Sequence, residues 1–265
     1  MGLSARFVDA PAGTGAGRAP LVLLHGFTQS GASWAPVVDA LAGRAAPLVL
    51  PDAPGHGGSG HVAADLWATA DLLAGLVPRP AYWAGYSMGG RAALHLALAH
   101  PERVVGLVLI SASAGIEDRA ARDARRAADE ELARRVEHDG VESFLSYWMA
   151  QPLFASLSPE RAGRQARMVN TAAGLASSLR LAGQGAQEPL WHRLAELGRR
   201  EVPVLVLAGE DDARYVDQAR RMAAAIGPTA TVRLVPRAGH ACHLERPEEV
   251  AEALVGFLGP AATGG

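Results

Sequence analysis

Residues Gly85-Tyr86-Ser87-Met88-Gly89 join an apolar run, Ala81 to Ala84, to an alanine-rich helical stretch, Arg91 to His100. A strand running through a sharp turn straight into a helix leaves few folds open. Glycines on either side of the serine let the backbone pass close to itself in a strained turn, which lifts the hydroxyl above the sheet edge. The same turn sets Ser87 beside the positive end of the following helix, where the Met88 N–H can face a developing oxyanion. The pattern reads as a nucleophile elbow.

The rest of the chain supplies the sheet that such an elbow needs. Short apolar runs recur at Leu21–Leu24, Leu48–Leu50, Ala81–Ala84, Val104–Ile110, Val202–Ala208 and Thr231–Val235. Runs this short, bounded by Gly, Pro or Asp, are expected to be buried strands of a mostly parallel sheet. Ser33–Ala42, Leu66–Leu76, Gly89–Ala99, Arg214–Ile226 and Pro247–Leu258 read as helices. Alternation of this kind predicts a three-layer α/β fold. The charged, helical stretch 115–197 breaks the rhythm and reads as a cap inserted over the carboxyl ends of the strands, where ligands bind in such sheets. Residues 1–114 and 198–265 then form the core, with a Gly/Ala tail expected to be disordered. Gly13-Thr14-Gly15-Ala16-Gly17 precedes a strand instead of following one, so it is not read as a dinucleotide loop.

Composition removes several function classes. The 265 residues carry a formal charge of −2, against the basic surface that nucleic-acid binding needs. All 25 basic positions are arginine, which excludes lysine Schiff-base and lysine-dependent phosphate chemistry. One cysteine, Cys242, excludes an internal disulfide and points to a reducing compartment. The N-terminus lacks an extended apolar h-region and no apolar run nears membrane-spanning length, so a cytoplasmic protein without membrane insertion is expected. Monomer and homo-oligomer remain equally open.

A serine hydroxyl needs a nearby imidazole to accept its proton. With an elbow of this kind the acid and the histidine follow the serine in chain order. Val202–Gly209 runs into Glu210-Asp211-Asp212, and Arg237-Ala238-Gly239 leads out of the last apolar run to His240. Asp211 and Asp212 compete to hold the imidazole, and spacing leaves both in play. The second oxyanion donor is expected in the loop after Leu24, at the Phe27 N–H. His25 reads as a structural residue of that loop. His240-Ala241-Cys242-His243 lacks the companions a metal centre needs, so no metal and no cofactor are expected.

Leu24-His25-Gly26-Phe27, Asp52-x-Pro54-Gly55-His56-Gly57-x-Ser59, the elbow and Gly239-His240 together resemble the α/β-hydrolase superfamily. A narrower resemblance runs through Gly85 to Arg91, Ser111 to Ile116, Trp148, Pro152 to Ser156, Leu175 to Arg180, Gly183 to Gln187 and Leu190-Trp191. These segments look like the 2-succinyl-6-hydroxy-2,4-cyclohexadiene-1-carboxylate synthases of menaquinone biosynthesis. That resemblance implies a lyase which eliminates pyruvate from a small polyanionic substrate. Ser87, His240 and Asp212 are implied as a base relay, Phe27 and Met88 as the oxyanion hole. Arg91, Arg125 and Arg167 are implied as carboxylate ligands, with Tyr86 and Trp148 walling the pocket. Arginine suits that role through bidentate, charge-assisted bonds. From Arg161 to Arg193 there are five arginines (161, 164, 167, 180 and 193) against one acid, Glu188.

Two departures from the family pattern stand out: Asp211 at a position not usually acidic, and Arg214 where lysine is common. The same scaffold also hosts serine hydrolases of esters or carbon–carbon bonds, and receptors that bind a ligand with little turnover.

Overall fold

The computed structural model describes residues 2–9, 18–41, 44 and 46–259. Elements follow in the order β1 (Ala5–Val8), β2 (Leu21–Leu24), α1 (Ala35–Leu41), β3 (Leu48–Pro51), α2 (Leu66–Leu76), β4 (Ala81–Tyr86), α3 (Met88–Ala99) and β5 (Val104–Ile110). Then come α4 (Arg119–Met149), α5 (Arg164–Arg167), α6 (Ala172–Ala182) and α7 (Ala195–Arg199), followed by β6 (Val204–Gly209), α8 (Ala213–Ile226), β7 (Ala230–Val235), α9 (Cys242–Glu245) and α10 (Pro247–Leu258). Gly13–Gly17 and the Gly/Ala tail lie outside the described residues.

Seven strands form one sheet in the order β1-β3-β2-β4-β5-β6-β7, parallel throughout except for β1 against β3. Every residue of β2, β3 and β6 is buried, which is why those segments are continuous apolar runs with no alternation. The antiparallel strand β1 was not anticipated. Its residues are half-exposed or exposed, and four residues at a sheet edge carry too weak a pattern to stand out. One apolar layer packs α2, α3 and α8 against one face of the sheet through residues such as Leu73, Leu94 and Met222. A second packs α1 and α10 on the other through Val37, Leu41 and Leu254.

Between β5 and β6 the described chain contains helices and no strand. Those helices have a small core of their own, in which Val136 and Phe144 of α4 meet Leu175 and Leu179 of α6. Helix α4 bends at Gly140, whose φ of 76° and ψ of 167° break the helical path. Arg180 of α6 bridges Glu130 and Glu137 of α4 at 2.9 and 2.6 Å, fixing the two helices side by side. Among the described residues no helix is long and apolar enough to cross a membrane.

Helix α3 decides where the site lies. Its residues from Met88 to Leu98 are all buried, so it runs through the molecule's interior. Small residues at its start allow the close approach. A Cβ on Gly89 would land on the carbonyls of Leu24 and His25, and one on Gly90 would meet the Ala112 methyl at 2.6 Å. Gly89→Ala should therefore destabilise the protein by at least about 2 kcal/mol, against the gain of about 1 kcal/mol that alanine offers an unconstrained helix. The urea midpoint checks this, with an unchanged midpoint counting against the packing.

Candidate active site

Parallel strands deliver their carboxyl ends to one edge, and the chemical groups gather there. Ser87 follows β4 directly, Asp212 lies just beyond β6, and His240 sits on the turn after β7. Ser87 adopts φ 52° and ψ −108°, a left-handed conformation that a serine takes only under constraint. Its N–H donates to the Ile110 carbonyl at 2.8 Å, so the neighbouring strand helps hold that posture.

His240 Nε2 lies 3.2 Å from Ser87 Oγ, and its Nδ1 lies 3.0 Å from Asp212 Oδ2. An ionised carboxylate only accepts, so the imidazole carries its proton on Nδ1 and keeps the Nε2 lone pair for the serine. Asp212 is fixed in turn, because it caps α8 by accepting from the Tyr215 N–H at 3.3 Å. Asp211 is exposed and makes no bond to His240 among the described residues. The turn bearing His240 is anchored by Glu245, whose Oε2 accepts from the Gly239 N–H at 2.9 Å.

The loop after β2 carries Phe27 to the same cavity. Met88 opens α3, so its N–H has no acceptor one turn back within the helix. A brace of neutral imidazoles supports the loop. His25 donates from Nδ1 to the Gly26 carbonyl at 2.8 Å and accepts at Nε2 from the Ala53 N–H at 3.0 Å. His56 donates to the Pro54 carbonyl at 3.0 Å and accepts from the Thr28 N–H at 3.2 Å. Each ring therefore needs one protonated and one bare nitrogen. Burial agrees with that demand, driving His25 down to about 4 and His56 to about 3. The Gln29 side chain ties the Gly26 N–H to His243 Nε2, at 2.9 and 3.2 Å.

Ser87, Met88, Phe27 and His240 line a cavity of about 450 Å³, within the range of small-molecule sites. Phe27, Trp148 and Phe154 form one aromatic wall, with the Phe27 and Trp148 ring centres 5.1 Å apart and Phe144 packed behind them. Tyr86 also lines the cavity, its ring centre 5.3 Å from that of His240.

Two buried guanidinium groups line this cavity without a carboxylate partner. Arg91 is 5% exposed and spends Nη1 on the carbonyls of Ala182 and Gly183, at 2.8 and 3.3 Å. Arg167 is 2% exposed and donates to the Ala162 carbonyl at 2.9 Å and to Thr28 Oγ1. Neither forms an ion pair with an acidic side chain among the described residues. Burial lowers each to about 10, so both stay cationic at neutral pH. A guanidinium has five N–H donors, and several on each residue stay unused.

The other two cavity arginines differ: Arg214 is exposed, its guanidinium carbon 5.8 Å from the Tyr215 ring centre. Arg125 also faces the cavity, but its Nε already meets Asp129 at 2.7 Å and its Nη1 meets Gln184 Oε1 at 2.7 Å. Of the five arginines from 161 to 193, Arg167 alone lines the cavity. Arg161 binds the Glu245 carbonyl, Arg164 the Glu142 carbonyl, Arg180 two glutamates and Arg193 Glu196. Gln29, Asp129, Gln184 and Tyr215 were not anticipated as cavity residues. Asp129 had a readable signal, four residues after Arg125 on one helix face. The other three gave none, because each meets a side chain far away in the chain. No cluster of three potential metal ligands occurs among the described residues.

Residues 21–253 match the family described as the alpha/beta hydrolase family. The chain is 34% identical over 245 residues to the 2-succinyl-6-hydroxy-2,4-cyclohexadiene-1-carboxylate synthase of Klebsiella pneumoniae, covering 90% of this chain and 93% of that protein. The structure of MenH from S. aureus superposes with a TM-score of 0.87 at 32% identity, over 96% of this chain and 97% of that one. A thermophilic esterase from Thermogutta terrifontis, solved with malate bound, gives a TM-score of 0.79 at 27% identity, over 97% and 93%.

The buried imidazoles limit acid stability. Burial also lowers His95 to about 4 and His243 well below its usual range. Unfolding returns all four to an ordinary value near 6.5, so the unfolded chain binds more protons between about pH 6.5 and 4. Stability is therefore complete above that window and falls as pH drops through it, by up to about 1.4 kcal/mol per pH unit for each histidine. Urea unfolding at pH 7, 6 and 5 should show a steep decline, and a flat profile would contradict the neutral brace.

Proposed function

We propose that this chain, which belongs to the alpha/beta hydrolase family, is a carbon–oxygen lyase of menaquinone biosynthesis. Membership of that family carries hydrolase- or lyase-type catalysis on small substrates. The specific reaction is elimination of pyruvate from 2-succinyl-5-enolpyruvyl-6-hydroxy-3-cyclohexene-1-carboxylate, giving 2-succinyl-6-hydroxy-2,4-cyclohexadiene-1-carboxylate. One observation carries the reading: two buried guanidinium groups without carboxylate partners share a cavity with a serine–histidine–aspartate array. Burying an unpaired charge is costly, and an anionic ligand offsets that cost. A neutral ester would leave both cations unsatisfied. The named relatives add support, since two of them carry this activity or the MenH name.

His240 takes the Ser87 proton, and the serine oxygen removes the ring proton beside the succinyl ketone. Charge moves onto the ketone oxygen, where the Phe27 and Met88 N–H groups stabilise it. Electrons then shift through the ring double bond and the carbon–oxygen bond to the enolpyruvyl group breaks. The departing oxygen takes the proton held by His240, and the released enol converts to pyruvate. No water is consumed. Arg91 and Arg167, with Arg125 at the margin, hold the carboxylates, while Tyr86 and Trp148 confine the ring. Residues 115–197 serve as the cap on a core of residues 1–114 and 198–265.

A serine esterase is the second reading, favoured by the resemblance to the Thermogutta esterase and by an array equally able to form an acyl-enzyme. Pyruvate release separates the two. Coupled to lactate dehydrogenase, the enolpyruvyl substrate should yield pyruvate with the wild-type protein, whereas a burst of nitrophenol from p-nitrophenyl acetate without pyruvate release favours the esterase. Ser87→Ala should abolish pyruvate release with the fold intact, and wild-type rates would remove the serine from the relay. Arg91→Ala should lower kcat/KM by one to three powers of ten, about 1.4–4 kcal/mol. An unchanged kcat/KM would take Arg91 out of the site.

A further inference from the structure

Tyr215 lies three residues beyond Asp212 on α8, with its ring centre 4.4 Å from that of His240. It lines the cavity yet is only 3% exposed. Its hydroxyl has one hydrogen-bond partner among the described residues, Gln184 Nε2 at 2.8 Å. The direction of that bond follows from a third residue. Arg125 Nη1 lies 2.7 Å from the other end of the amide, and a guanidinium can only donate. The Gln184 oxygen must therefore face Arg125, which leaves the amide nitrogen facing Tyr215. Tyr215 consequently accepts, and its own hydrogen has no acceptor among the described residues.

Such a hydrogen is costly to leave buried, by about 1–3 kcal/mol for an unpaired group. Arg125 itself is held by Asp129, and Asp129 also accepts from the Gly185 N–H at 2.9 Å, so the amide has no freedom to flip. Arg91 belongs to the same assembly. It binds the carbonyl of Gly183, the residue preceding Gln184. The loop 182–185 thus holds a buried cation and a buried hydroxyl donor at one end of the cavity.

We propose that the Tyr215 hydroxyl is a further ligand-binding group, its hydrogen set toward the cavity by Gln184 so that it and Arg91 bind one carboxylate of the substrate. A carboxylate suits the pair, because its two oxygens accept from a guanidinium and a hydroxyl at once. The inference rests on the acidic-ligand reading of the cavity. It extends that reading by dividing the work: Arg91 supplies charge, and Tyr215 supplies a directed neutral donor beside the catalytic imidazole.

The test uses phthalate, a ring dicarboxylate, titrated calorimetrically into the full-length protein and its variants. Tyr215→Phe keeps the ring against His240 and removes only the hydroxyl, and should raise the phthalate Kd about tenfold, or about 1.4 kcal/mol. With the enolpyruvyl substrate, KM should rise by a similar factor and more than kcat falls. Gln184→Glu reverses the hydrogen bond, since a carboxylate accepts from the tyrosine and turns its hydrogen away from the cavity. In that background Tyr215→Phe should change the phthalate Kd by less than twofold. A purely structural tyrosine would show no such dependence on residue 184.

A full tenfold effect persisting alongside Gln184→Glu overturns the proposal. So does a wild-type-like Kd in Tyr215→Phe, or no phthalate binding by the wild-type protein at 10 mM. Phthalate binding that depends on Tyr215, in a protein that releases no pyruvate, would instead retire the lyase reading while keeping the hydroxyl's role.

Discussion

The close passage of α3 beneath β2 and β4 is the constraint on which the rest of this molecule depends. Gly85, Gly89 and Gly90 carry no Cβ at the crossing, so the helix starts within contact of the strand carbonyls. Ser87 occupies the only residue between strand and helix and is forced into positive φ. Its hydroxyl is thereby presented at the sheet edge, beside the unpaired N–H groups of a helix N-terminus. One helical turn later the same geometry delivers Arg91 into the cavity. Backbone packing thus settles the position of the serine and of one cation together.

Around that crossing, polar groups are divided into those satisfied by the protein and those left for a ligand. Most arginines of the helical segment between β5 and β6 are engaged, with glutamates on α4 or with backbone carbonyls. The loop after β2 is braced by histidines whose accepting bonds at Nε2 require the neutral ring. Arg91 and Arg167 stand apart: buried, charged and without acidic partners. A folded chain retains such groups at a cost in stability, and functional sites are where that cost is characteristically tolerated.

The histidine side of the site shows economical use of single residues. Asp212 caps α8 with one oxygen and holds His240 with the other. Tyr215 gives its N–H to that cap, its ring to His240 and its hydroxyl oxygen to Gln184. Glu245 anchors the Gly239 turn, while its own carbonyl receives Arg161 from the segment between β5 and β6. The Tyr215 and Glu245 links join the sheet core to the segment between β5 and β6.

Local pattern was enough to specify the parallel sheet and the elbow. Buried strands need continuous apolar runs, and the strand–turn–helix grammar around Ser87 is contained in a few consecutive residues. Strand β1 escaped because an exposed antiparallel edge strand needs no such run. At Asp211-Asp212 only tertiary structure could choose, since the decision lies in which carboxylate caps α8 and meets an imidazole 28 residues away. Only tertiary structure, likewise, could separate Arg167 from four other arginines, neutralise Arg125 with Asp129, and orient Gln184 so that Tyr215 has a hydrogen to give. Those outcomes depend on distance and direction between groups far apart in the chain, which composition and periodicity do not encode.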